Sequence, residues 1–447
     1  MVFGCPRDAP VQQFDFGNGP ISCHAWNKDR TQIAVSLAGS EVFIYGWSNG
    51  LWQKLHELTE HDLRVTGIDW GPQTNRIVTC AQDKNAFVWT YDGKSWKPIV
   101  VVVRLQRAAT CVKWSPLENK IAIGSGSKLV SICFYEKEND WWVSRQIKKP
   151  IRSTVSSLDW HPNNLLLAVG SYDFRARVYS AYVKETDGSK HSSCAWATKA
   201  VPFGTILADY SSHCGWIHCI RFSPSGNRLC WVGHDSSVHV VDSTVDMSSE
   251  SAQSPPTKYP RIGSIVTLKT PFLPYTSALW VSENSIVVGG FDCCPQLLSF
   301  KSPKELYVVC KLDVPSESKG DGQTAMSMFR GLDSRATSDL NVQLKTLHQN
   351  SISEIAEHSR ERDEVTVFST ASLDGSVILW PLKVSRTTVP QIYAGYSKLL
   401  NILIGEIVSK HFCKLFHFQE TLLYCQVKVL EKLRMFTACL IARRYYN

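Results

Sequence analysis

An all-β, seven-bladed propeller is the fold class this sequence predicts, and three observations predict it. One phrase recurs seven times between residues 23 and 380. Inside each copy the apolar runs and polar turns have the cadence of strands rather than helices. One aspartate returns at the same place near the end of most copies.

Five copies keep close register: "CHAWNKDRTQIAVSLAGSEVFIY" (23–45), "GIDWGPQTNRIVTCAQDKNAFVW" (67–89), "CVKWSPLENKIAIGSGSKLVSICFY" (111–135), "SLDWHPNNLLLAVGSYDFRARVY" (157–179) and "CIRFSPSGNRLCWVGHDSSVHVV" (219–241). Their anchoring aromatics, Trp26, Trp70, Trp114, Trp160 and Phe222, stand 44, 44, 46 and 62 residues apart, against about 40 to 45 for a propeller blade. Two weaker copies follow at 278–300 and 354–380, which makes seven.

Each copy reads as a strand, a polar turn, a second strand, an Asp- or Gly-containing turn and a third strand, with a more variable outer strand after it. A four-stranded sheet of this size cannot bury both its faces alone. Seven packed radially around an axis give one closed body. The turn aspartate falls six residues before the end of the third strand: Asp83, Asp173, Asp235, Asp292 and Asp374. Its carboxylate can accept from turn amides and hold the hairpin.

In two copies a larger polar set is complete: His61, Thr79, Asp83 and Trp89, and again His348, Thr370, Asp374 and Trp380. This resembles the His, Ser/Thr, Asp, Trp hydrogen-bonded set of WD repeats. A His/Ser/Asp trio also invites a hydrolase reading, but these residues fall at repeated scaffold positions and the chain has no G-x-S-x-G elbow. The segment "GSGSKL" (124–129) lacks both the third Gly of a dinucleotide loop and the Gly-Lys-Ser/Thr of a phosphate loop. No catalytic residue and no cofactor is expected.

The sharpest decoy is "HCGWIHCIRFSPSGNRLCWVGHDSSVH", where Cys214, Cys219, His234 and His239 nearly meet the spacing of a Cys2His2 zinc site. Cys219 occupies the position of Cys23 and Cys111, which have no histidine pair downstream, and the two histidines flank a turn where a zinc finger needs a helix. No metal is expected.

Composition sets the outer limits. The 447 residues carry 44% hydrophobic and 11% aromatic side chains, enough for a sizeable core. Fifteen cysteines without C-x-x-C spacing suit buried free thiols in a reducing compartment. The N-terminus has no signal-peptide pattern and no charge-poor apolar run reaches membrane-spanning length, so a soluble intracellular chain is expected. A net charge of +8 leans toward acidic protein or nucleic-acid partners without deciding between them.

Several stretches are more specific than a repeat pattern: "CHAWNKDRTQIA" (23–34), "RAATCVKWSPLENK" (107–120), "YEKENDWWVSRQIKKPIRSTV" (135–155), "SLDWHPNN" (157–164) and "TLHQNSI" (346–352). Together they resemble the WD-repeat subunit (subunit 1) family of the actin-related protein 2/3 complex, over roughly residues 11 to 383, linkers as well as blade cores. The resemblance implies a non-catalytic propeller subunit that supports nucleation of branched actin filaments. The implied partners are actin-related proteins and small subunits of the complex, the actin filament and acidic tails of activators, with no nucleic acid and no membrane span. A generic WD-repeat adaptor, in ubiquitin ligation or RNA processing, is the alternative.

Two elements then acquire expected roles. The insert between blades six and seven, about 301–345, places Ala325, Met328, Phe329 and Leu332 on one helical stripe, with Arg330 beside it; the family's insert here contacts actin. A helix folded back on its own propeller is the other reading. The run "SRQIKKPIR" crowds Arg145, Lys148, Lys149 and Arg152 near the start of blade four, where they suit an acidic activator tail or form a solvated face. The expected domains are a propeller over 1–384, with a flexible Ser/Pro-rich loop at 243–264, and a tail over 385–447, read as either helical or a non-native terminus, to which no function is carried.

Overall fold

Seven four-stranded antiparallel sheets make the fold. The structure, a computed structural model, describes residues 2–4, 11–17, 19–188, 193–211, 215–245, 260–301, 305–313 and 344–385. The stripe of the insert, the middle of the Ser/Pro-rich loop and the tail beyond Ser385 lie outside the described residues.

The innermost strands are Cys23–Trp26, Val65–Trp70, Ala109–Trp114, Val155–Trp160, Ile217–Phe222, Tyr275–Ser282 and Ile352–Glu361. Each packs against the next, and the seventh packs back on the first, so the ring is closed. The anchoring aromatics end the first five of these strands and are buried. Trp280, near the end of the sixth, is their counterpart in the weaker copy.

Apolar burial is partitioned into seven clusters, each shared by two neighbouring blades. The alternation along each strand explains this, because one face serves the blade before and the other the blade after. Hydroxyls complete the seams. Ser22, Thr66, Thr110, Ser156 and Thr276, all at the starts of inner strands, donate to the carbonyls of Val65, Ala109, Val155, Ile217 and Ile352 in the next blade, at 3.2, 2.9, 2.6, 2.5 and 2.5 Å. Blade five has His218 at this position, and there the Arg221 Nε donates across to the Ala278 carbonyl at 3.3 Å.

The seventh blade departs from the simple reading of strands in succession. Its inner three strands, Ile352–Glu361, Glu364–Ser372 and Ser376–Pro381, are followed by no outer strand of their own among the described residues. The outer place is taken by Gln12–Asp15 from the N-terminus, with Gln12 opposite Leu379 and Asp15 opposite Ser376. Val2–Gly4 pairs in turn with Lys383–Ser385. Joining both ends of the propeller in one blade leaves no seam that can open without breaking a sheet.

The wide step of 62 residues between Trp160 and Phe222 also has a local cause. Between Arg175–Ser180 and Ile206–Ser211 the chain makes a detour that includes the helical turn Lys184–Asp187. Lys120 of blade three anchors it: the ammonium is fully buried and donates to Asp187 at 2.6 Å and to the carbonyl of Asn164 at 2.8 Å.

Candidate partner-binding face

Strand order sets the two ends of the ring. Loops that lead into inner strands and turns between second and third strands lie at one end, and the remaining turns lie at the other. The sequence-expected groups can be placed on this frame.

The first polar set sits inside blade two. Trp89 Nε1 donates to Thr79 Oγ1 at 2.9 Å, Thr79 Oγ1 is 2.8 Å from His61 Nε2, and His61 Nδ1 is 2.8 Å from Asp83 Oδ2. Burial lowers the imidazole pKa against the pull of Asp83, which favours neutral His61. A neutral ring that donates from Nδ1 must accept at Nε2, so the proton order runs Trp89 to Thr79 to His61 to Asp83. Asp83 also accepts from the Asp62 amide at 3.2 Å, which fastens the turn to the loop before the inner strand.

Blade seven repeats the set. Trp380 Nε1 donates to Thr370 Oγ1 at 2.8 Å, His348 Nε2 lies 2.6 Å from that oxygen, and His348 Nδ1 lies 3.4 Å from Asp374. Burial pushes the Asp374 carboxyl up, but hydrogen bonds from His348, Ser376 and the Gln349 amide outweigh it and hold the group well below the usual carboxylate range. The turn aspartates of blades four and six do the same work with other partners, accepting from the Arg152 amide at 3.0 Å and the Leu273 amide at 3.4 Å. A third histidine set, not read from the sequence, bridges blades one and seven: His24 Nε2 and Trp26 Nε1 meet Ser369 Oγ at 2.8 and 2.9 Å, and Glu354 accepts from the His24 amide at 2.8 Å.

A belt of charge crosses the central channel. At one level of the inner strands stand Asp69, Lys113, Asp159 and Arg221, alternating in sign on blades two to five, while Leu279, Ala356 and Ala25 fill the other three places. Asp69 and Asp159 each accept the backbone N–H of the next blade, from Trp114 and Phe222, at 2.7 Å. Lys113 stands 3.4 Å from Asp69, and Arg221 stands 3.9 Å from Asp159. The open end beyond Lys113 and Arg221 is a cavity of about 390 Å³. The four belt charges pair with one another, so they serve the seams.

The zinc-like segment is divided among separate partners. His239 lies against Trp231 and reaches Thr267 and Ser237, both at 2.9 Å. His234 faces His218 at 2.9 Å. Cys219 is buried with its thiol 3.8 Å from the Ala278 carbonyl. Cys214 lies outside the described residues, and among the described ones no cluster of three metal-ligating side chains occurs.

Of the basic run, Lys148, Lys149 and Arg152 are exposed on the connection between blades three and four. Arg145 is set apart from them: it lies within the outer strand Trp141–Ile147, and its guanidinium donates to Glu185. Ala325, Met328, Phe329, Arg330 and Leu332 lie outside the described residues.

Comparison with known proteins follows this geometry closely. Residues 52–90, 145–180 and 204–242 match the WD domain, G-beta repeat family. Each match starts in or just before an outer strand and runs through the first three strands of the next blade, so the sequence unit is offset from the sheet by one strand. The chain is 51% identical over 367 residues to actin-related protein 2/3 complex subunit 1A-A of Xenopus laevis, covering 81% of this chain and 94% of the relative. It is 40% identical to actin-related protein 2/3 complex subunit 1 of Schizosaccharomyces pombe over 80% of this chain and 96% of the relative. The corresponding figures for subunit 1A of Arabidopsis thaliana are 38%, 81% and 94%. The chain belongs to the actin-related protein 2/3 complex subunit 1 family.

In this member of the subunit 1 family the end face carries cations that reading the contiguous run missed. Arg104 and Arg107 lie in the loop before Ala109–Trp114, and Lys128 lies in the turn before Leu129–Glu136; all three are exposed. Their signal was present once the blade register was known, because the loop before an inner strand and the turn after the second strand emerge side by side. Read linearly, they are single cations scattered between apolar runs.

Proposed function

We propose that this chain is a non-catalytic propeller subunit of an actin-related protein 2/3 complex, working in the cytoplasm at the actin cytoskeleton and supporting nucleation of branched filaments. The observation that carries this is identity sustained over nearly the whole length of relatives that all bear the subunit 1 name. The polar groups support the non-catalytic part: the His61 and His348 sets are largely buried and spend their hydrogen bonds within each set and on the adjoining turn. No helix among the described residues is long and apolar enough to cross a membrane.

The chain contacts actin-related proteins and small subunits of the complex. Its end face suits that role, since Leu63, Phe174, Trp216, Leu273 and Phe291 are exposed there and partner subunits would cover them. The insert, with Ala325, Met328, Phe329 and Leu332, reaches the actin filament. Lys148, Lys149 and Arg152 receive acidic activator tails. The propeller occupies 1–384, and the tail after it carries no assigned role.

The test is affinity purification of the tagged full-length chain with mass spectrometry. Actin-related proteins and the small subunits should copurify in comparable amounts. Recovery of a cullin-type assembly or an RNA-processing particle in their place would overturn the reading.

A further inference from the structure

We propose that the cavity at the open end of the central channel is a binding site for a small organic monoanion, one carboxylate on an apolar body. An odd charge carries the inference. Of the Arg, Lys, Asp and Glu side chains that line this space, only Arg30 has no opposite partner among the described residues.

Four cations meet three carboxylates there. Lys113 stands by Asp69 and Arg221 by Asp159, as the belt requires, and Arg360 closes on Glu357 with two bonds at 3.0 and 2.6 Å. One positive charge is left over. Arg30 sits at φ 60° in the turn between the first two strands of blade one, where its amide and its guanidinium both donate to the Asn27 carbonyl, at 3.3 and 3.0 Å. The turn therefore fixes the half-buried side chain at the cavity wall while most of its donors stay unspent. Burial lowers its pKa against the more distant pull of Glu357, as expected of a guanidinium taken from water without a carboxylate of its own.

Deeper in, the belt cations also have donors to spare. Lys113 Nζ has one partner among the described residues, Asp69 at 3.4 Å. Arg221 spends Nε and one Nη on the carbonyls of Ala278 and Leu158, both at 3.3 Å, and its other Nη makes no hydrogen bond among the described residues. A carboxylate can accept from such groups without displacing a bond already made. The side formed by blades six and seven differs, because Leu279, Ile355 and Ala356 line it. At about 390 Å³ the cavity falls in the size range of small-molecule sites, so a charged head and an apolar body fit together. The charge count selects the head. One carboxylate cancels the excess, whereas a phosphate monoester, at about two negative charges, overshoots it and faces Asp69 and Asp159. A cation would add to the excess.

Isothermal titration calorimetry on the purified full-length chain, at fixed ionic strength, tests this with phenylacetate, phenyl phosphate and benzylammonium as probes. Phenylacetate should bind at one site and several-fold more tightly than phenyl phosphate, and benzylammonium should not bind. Arg30→Gln should weaken phenylacetate on the order of tenfold, and Leu279→Asn, which makes the apolar side polar, should weaken it as well. Lys148→Ala with Lys149→Ala, exposed at the other end of the ring, should leave it unchanged. Melting temperatures check that each variant keeps the ring, and Arg30→Gln is the safest of them because no carboxylate loses a partner. Phenylacetate binding that survives Arg30→Gln, or that is lost with Lys148 and Lys149, places the anion elsewhere and overturns the proposal. Tighter binding of phenyl phosphate, or no binding of phenylacetate, overturns it too.

Discussion

Asp83 and Trp89 never touch, yet they belong to one chain of hydrogen bonds through Thr79 and His61. Removing either end leaves buried polar groups without partners, at about 1–3 kcal/mol each. Asp83→Ala and Trp89→Ala should each lower stability in denaturant melts, and the double variant should lose less than the sum because the network is already broken. Strict additivity would separate the two residues. Lys120 offers a second test at this scale. Its ammonium and the Asp187 carboxylate are both out of water, so Lys120→Met leaves a buried charge uncompensated and should cost about 3–5 kcal/mol. Lys120→Met with Asp187→Leu should recover much of that loss. A double variant as unstable as the single one would show that the ammonium's bonds to backbone carbonyls matter more than the ion pair.

Elements were read from the sequence unevenly, for physical reasons. Inner, second and third strands were legible because apolar alternation and turn residues are local signals, and the buried Trp at the end of the inner strand repeats with them. The outer strand of blade seven was not, because its pairing joins residues 12–15 to residues 376–379, and no local pattern records a partner so distant. The His24, Trp26 and Ser369 set was hidden for the same reason. The offset between sequence unit and sheet explains the borrowed outer strand, since a unit that begins with an outer strand must lend its first strand to the last blade. Phe16, 7% exposed and packed at a tilt against the Tyr45 and Trp52 rings, helps hold that strand. Phe16→Ala should cost about 3 kcal/mol, and removal of residues 1–17 should lower the melting temperature further and expose the Ser376–Pro381 edge to self-association. A truncated chain that melts and elutes like the intact one would refute closure by the N-terminal strand.

At the scale of the whole molecule, several buried histidines tie stability to pH. Burial lowers the imidazoles of His161 and His239 to about 4, from an ordinary value of 6.5. The unfolded chain therefore binds more protons than the folded one between those values, and stability present above about pH 6.5 is lost as pH falls toward 4. Each of the two should contribute a loss of about 1–2 kcal/mol by pH 5. Melts of the propeller between pH 7.5 and 5, with His161→Gln as the comparison, check this; the variant should show the shallower pH dependence. As a member of the subunit 1 family, this ring is a working part of a branched-actin nucleator. The most direct measurement is polymerisation of labelled actin by a complex reconstituted with this chain as its propeller subunit, beside the same preparation without it. Adding the chain should restore activator-dependent nucleation and filament branches, and a chain lacking residues 1–17 should do so poorly. Full nucleation and branching without the chain, or a chain that stays out of the complex while folded, would contradict this role.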